Sequence, residues 1–235
     1  MLSPSQTTFP GAVRTVALRP VNDRRLRMER LQDSGSHISS QRVVDEIDSA
    51  RAQEYALLAT LLSRSPDAGM IERLALLGGD ASPLGAAHAD LGEAAGRADE
   101  ASAAREYFDS FGGLGQSPLL PYASHYLTGS LYGRPLARLR EALRRLGIES
   151  TADHSEPEDH AAILCEVMAG LVGGEIPAPA GADREFFEKH MARWIRRFFV
   201  DLEHAPSTDF YARVGALGRT LVDIEAEAFA LSTPV

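Results

Sequence analysis

Cysteine is nearly absent from this chain: Cys165 is the only one in 235 residues. An intramolecular disulfide is therefore excluded, which fits a reducing, cytoplasmic setting. Long apolar runs are missing as well. No stretch approaches the roughly 20 apolar residues that span a bilayer, so stable membrane insertion is not expected. Period-two strand patterns, Asn-Gly hairpin signals and internal repeats are also lacking. The motifs of metal and nucleotide chemistry are missing too: Cys-x-x-Cys, His-Glu-x-x-His and a Walker A loop do not occur. A di-iron bundle needs Glu-x-x-His on facing helices. None of the seven histidines has a Glu three residues before it, and Asp201-x-x-His204 is a lone imitation. No catalytic residue, metal or cofactor is expected.

What is present is a globular composition, 44% hydrophobic and 24% charged, long enough to bury a core. The net charge is −9 and unevenly spread. Residues 1–40 carry six Arg against three acids, a net +3, which leaves −12 for the remainder. An acidic folded part argues against nucleic-acid binding, which needs a basic face to displace counterions. It suits a basic partner, or solubility alone. Arg24-Arg25 is followed by Leu26-Arg27-Met28-Glu29-Arg30 rather than an apolar stretch, so it does not read as an export signal. Residues 1–40 mix Ser, Thr, Pro, Gly and Arg without apolar period, and are expected to form a poorly ordered tail.

From Ser40 onward the apolar spacing is helical. Val43, Val44, Ile47, Ala50, Tyr55, Leu58, Leu61 and Leu62 form one face, ending near Ser65-Pro66. Shorter helices are expected over 67–77 and, weakly, 82–96. Asp99 starts the next, with Ala103, Tyr107, Phe108 and Phe111 inward. The glycine-rich run 112–118 breaks the period. It follows a helix rather than a strand and has no phosphate-loop Lys, so it reads as a hinge. Helices then resume over 122–131, from Pro135 to Gly147, over 155–172, 183–203 and 207–231. The Ser155-x-x-Glu158 pattern reads as a capping box for the third of these. The expected fold is all-α, helical-bundle-like: a tail (1–40), an N-terminal part (41–111), a hinge (112–121) and a C-terminal part (122–235). Swapping of the halves across the hinge would give a homodimer; otherwise the chain is a monomer.

Two clusters carry candidate chemistry. Residues 153–160 place four acids and two histidines at the entry of one helix. Acids, a Ser cap and a Pro all suit a helix N-terminus. That explains Asp159 and His160 less well, one turn in and adjacent. They fit a charged docking point, a catalytic dyad or a metal-ligand pair, of which the last two lack a nucleophile and further ligands. In the second cluster, Pro121 to Leu127, Tyr122 and Tyr126 offer apolar bodies with polar tips, suited to peptide recognition or to packing a helix face.

These clusters, in this order, resemble the TorD/DmsD/NarJ family of redox-enzyme maturation chaperones. The matching residues are Pro121-Tyr122-x-Ser124, Glu156-Pro157-x-Asp159-His160, Phe187-x-x-His190-x-x-x-Trp194-x-x-x-Phe198 and Phe210-Tyr211. The resemblance implies an all-helical, non-catalytic, cytoplasmic chaperone whose partners are an apo-molybdoenzyme and its twin-arginine signal peptide. It would hold its client back from export and assist cofactor insertion. The implied peptide-binding residues are Tyr122, Ser124, Tyr126, Glu156, Pro157, Asp159 and His160. The Leu119-Leu120-Pro121-Tyr122 form is similar to the branch that accompanies formate dehydrogenases. A helical enzyme using an Asp159/His160 acid–base pair, and a helical adaptor without a molybdoenzyme client, are the alternatives.

Overall fold

The structure is a computed structural model that describes residues 18–20, 45–112, 119–150, 156–206 and 208–231. The expected all-α architecture is present. Among the described residues the helices are α1 (Glu46–Ser63), α2 (Ala68–Leu74), α3 (Pro83–Arg97), α4 (Glu100–Phe111), α5 (Ala123–Thr128) and α6 (Arg134–Arg145). They continue with α7 (Ala161–Val172), α8 (Ala182–Phe186), α9 (Ile195–Glu203) and α10 (Phe210–Leu231). Most of the expected hinge, residues 113–118, and most of the expected tail lie outside the described residues.

The first four helices start where the sequence supplies caps. Asp45, Asp67 and Ser82 each accept a hydrogen bond from the backbone N–H three residues on, at 2.8–3.0 Å. Asp99 and Ser102 form a reciprocal capping box. Such caps satisfy helix N–H groups that have no intrahelical acceptor. The 82–96 segment, rich in Ala and Gly, is therefore a regular helix with Pro83 at its first turn.

One core is shared by helices from both sides of the 112–121 segment. α1 packs along α7, and α10 packs against α9, α3 and α4. Tyr55, Leu58 and Leu61 of α1 meet Leu164, Val167, Met168 and Val172 of α7 in this core, all fully or almost fully buried. Gly215 lets α10 lie against the end of α9, since a Cβ there would sit 2.4 Å from the Glu203 backbone nitrogen. Trp194 is buried, and its indole N–H donates to the His190 carbonyl at 2.8 Å.

Several expectations are corrected. Residues Leu18–Pro20 form strand β1, which pairs antiparallel with β2 (Ile148–Ser150), Pro20 opposite Ile148. Three-residue strands are too short to show a period-two pattern. Ile47 and Ala50 face solvent, because α1 turns Asp48 and Arg51 inward instead. Arg51 Nε and Nη2 donate to the two Glu225 oxygens at 2.7 Å each, Nη1 donates to Asp48 at 2.7 Å, and Nη2 also reaches Asp183 at 3.2 Å. Phe108 is exposed. The aromatic helix expected over 183–203 is interrupted by a π turn at Phe187–Met191. The helix expected from Ser155 starts only at Ala161, and Ser155 itself lies outside the described residues.

Two substitutions test this packing by urea denaturation. Trp194→Ala is expected to cost about 3–5 kcal/mol, as buried aromatic truncations do. Gly215→Ala is expected to cost about 1–3 kcal/mol by forcing α9 and α10 apart, with the same direction but a smaller shift in midpoint.

Candidate functional site

The two sequence clusters meet in space. Tyr122 and His160 form an isolated antiparallel bridge. The Ala123 N–H donates to the Asp159 carbonyl at 3.0 Å, and the Ala161 N–H to the Pro121 carbonyl at 2.7 Å. This pairing draws residues 159–160 into an extended path and explains why α7 starts at Ala161. His160 is its N-cap, with Nδ1 accepting from the Ala162 N–H at 3.1 Å.

The carboxylate of Asp159 is buried. Its Oδ2 accepts from the Ser124 N–H at 2.8 Å, at the start of α5, while Oδ1 has no hydrogen-bond partner among the described residues. Ser124 is buried as well, and its Oγ accepts from the Tyr132 N–H at 3.0 Å. Tyr132 is a non-glycine residue at φ +68°, and that bond helps hold it there. The expected place of Asp159 and His160 one turn into a helix is thus corrected: both precede the helix and lie beneath the surface, because their backbone pairs with residues 121–123. No hydrogen bond joins their side chains among the described residues, so they do not assemble an acid–base dyad.

Burial pushes the His160 imidazole down to about 4, against the opposing pull of Glu156 and Asp159. The ring packs edge-on to Tyr122, centroids 5.1 Å apart. Burial, and then the hydrogen bond to Glu156, raise the Tyr122 phenol well above its ordinary range. Glu156 is exposed and accepts that phenolic proton; Pro157 and Glu158 are half-buried beside it. Glu158 pairs with Arg140 of α6 at 2.8 Å. Cys165 is fully buried and burial pushes its thiol up to about 12, so it is inert.

Tyr126 points elsewhere. Its hydroxyl donates to Asp201 of α9 at 2.9 Å, and its ring packs on Trp194 and Phe198. It opens onto a shallow cleft of about 450 Å³ lined by Leu120, His125, Tyr126, Gly129, Arg197 and Asp201. The site therefore has two faces, Tyr122 with Glu156 on one and Tyr126 with the cleft on the other. Arg197 and Asp201 were not among the expected site residues. Their i, i+4 spacing on the polar side of an aromatic helix was the available signal. No group of three or more His, Cys, Asp or Glu side chains suited to a metal occurs among the described residues.

His160 makes the fold acid-sensitive in a defined window. The unfolded chain binds a proton at His160 below about pH 6.5, and the folded chain only near 4. Stability is therefore lost as pH falls from about 6.5 towards 4, by up to ~1.4 kcal/mol per pH unit for one proton. Asn caps a helix without titrating. His160→Asn is expected to flatten that slope in urea melts at pH 7, 6 and 5.

The family model described as nitrate reductase delta subunit matches residues 78–200. The chain is 30% identical over 135 residues to the chaperone protein TorD of Aliivibrio fischeri, covering 53% of this chain and 63% of that one. It is 30% identical over 104 residues to TorD of Vibrio cholerae, 40% of this chain and 47% of that one. TorD of Aeromonas salmonicida is 27% identical over 129 residues, 52% and 58%. The chain thus spans about half to under two thirds of these relatives' length. A solved structure described as a redox enzyme maturation protein, from Archaeoglobus fulgidus, aligns with a TM-score of 0.49 at 21% identity, covering 74% of this chain and 93% of that one. The family model takes in just over half of the chain, including α5, the Tyr122–His160 pairing and Trp194: this chain belongs to the nitrate reductase delta subunit family, the TorD/DmsD/NarJ group.

Proposed function

We propose that the protein is a cytoplasmic, non-catalytic chaperone. It binds the twin-arginine signal peptide, or the apo-form, of a molybdopterin oxidoreductase, delays export and assists cofactor insertion. The relatives named as chaperones support this reading. The observation that carries it is the joined face formed by residues 120–132 and 156–160. A twin-arginine peptide pairs a basic segment with an apolar one, and its receptor needs carboxylates beside apolar surface. Glu156 supplies an exposed carboxylate next to Tyr122. Leu120, Leu127, Leu131 and Tyr132 are exposed apolar side chains in the same stretch.

Within this proposal the seven site residues divide by depth. Tyr122, Tyr126, Glu156 and Pro157 meet the peptide. Ser124, Asp159 and His160 hold the 121–124 segment from beneath. Residues 112–121 serve as the hinge between the parts 41–111 and 122–235, and the Leu119-Leu120-Pro121-Tyr122 stretch favours a formate dehydrogenase as client.

Isothermal titration with the client signal peptide, and a Lys-Lys version as control, tests the proposal. Glu156→Gln is expected to fold normally, since the side chain is exposed. It should weaken binding by about 1.5–3 kcal/mol, the worth of a charge-assisted hydrogen bond. Unchanged affinity would place recognition elsewhere, and absence of wild-type binding would remove the signal-peptide reading.

A further inference from the structure

The cleft between α5 and α9 contains a cation that belongs to the chain itself. Arg197 lies with its guanidinium 5.7 Å from the Tyr126 ring centroid. Its Nε is 4.0 Å from Asp201 Oδ2, the limit of an ion pair. The Arg197 side chain remains 75% exposed, so solvent screens what the pair contributes. The same Asp201 oxygen accepts from the Tyr126 hydroxyl at 2.9 Å. Arg197 thus marks a place built for a guanidinium without filling it closely. An aromatic face, a carboxylate held by that same aromatic, and an open wall are all present.

We propose that this cleft is a binding site for the arginine side chain of a basic peptide, and that Arg197 is a built-in occupant which an incoming arginine displaces. The planar guanidinium suits the site on two counts. It stacks on an aromatic face, and its several in-plane N–H donors can reach a carboxylate oxygen while the ring contact is kept. In the resting arrangement Asp201 Oδ2 takes the Tyr126 hydroxyl, which leaves Oδ1 for an N–H donor to engage. The aliphatic stem would lie along Leu120, which is 36% exposed at the cleft wall. Gly129, at φ +76°, ends α5 there in the left-handed conformation that glycine adopts without strain. Displacing Arg197 costs little, because its pair with Asp201 is long and open to water.

This inference rests on the proposed function only for the parent of the arginine, a signal peptide; the site itself is tested with a small ligand. N-acetyl-arginine amide is titrated into the full chain and followed by the amide resonances of His125, Tyr126 and Asp201, with N-acetyl-lysine amide as control. Arg197→Gln removes the internal competitor and a repelling charge, and is expected to tighten arginine amide binding about tenfold, the equivalent of ~1.4 kcal/mol. Asp201→Asn is expected to weaken it by a similar factor. In the Arg197→Gln background, Tyr126→Phe keeps the ring face and retains most of the gain, whereas Tyr126→Leu loses it. Thermal melts of Arg197→Gln should match the parent chain, since the side chain is exposed.

Arg197→Gln binding no better than the parent, or as poorly as Asp201→Asn, would overturn the occupant role. Equal affinity for the lysine amide would overturn the guanidinium site, as would resonances that do not move in any variant. A chain that binds arginine amide as expected and ignores the signal peptide would leave this site standing while the chaperone reading falls. The reverse result would separate them the other way.

Discussion

Three hydrogen bonds between residues 121–124 and 159–161 bring the two sequence clusters together. Two are backbone bonds that pair the segments as a fragment of sheet in an otherwise helical body, and the third is the Asp159 carboxylate on the Ser124 N–H. From them follow the delayed start of α7, the N-cap role of His160, the packing of Tyr122 on the imidazole and the contact of Tyr122 with Glu156. An ionisable side chain buried this way is costly unless its hydrogen bonds are made. Asp159 leaves one oxygen unpartnered among the described residues. The segment that carries the aromatic face is thus held at a cost in stability.

The all-α fold was readable because its signals are local. Acidic and Ser caps, a Pro in a first turn and apolar stripes at helical spacing each act within a few residues, and α1 to α4 start at such caps. Trp194 lies in the core with Phe187, Met191 and Phe198. What escaped was set by partners distant in sequence. Ile47 continues the apolar stripe of α1, yet faces solvent, because Arg51 is claimed by Glu225, 174 positions away. Nothing local to Arg51 announces that claim.

The acidic box shows the same division at closer range. Its identity was plain from Glu156-Pro157-x-Asp159-His160, but its depth was not. A run of acids before an apolar helix reads as a capped, exposed terminus. Here the chain pairs with residues 121–123 first, which buries Asp159 and His160 and leaves Glu156 outside. Tyr122 and Tyr126 lie one helical turn apart and were read as one surface. The structure gives them different partners, His160 and Glu156 for one, Asp201 and Trp194 for the other.

The short ribbon of β1 and β2 has a consequence for the order of synthesis. Pro20 pairs opposite Ile148, so 127 residues separate the two ends of that contact. Translation runs at about 5–20 residues per second, so β1 leaves the ribosome roughly 6–25 seconds before its partner strand exists. Through that interval α1 to α6 emerge while the leading strand has no native place to pair. The ribbon therefore cannot close until α6 has been made, and its second strand emerges just before α7, the helix that packs along α1.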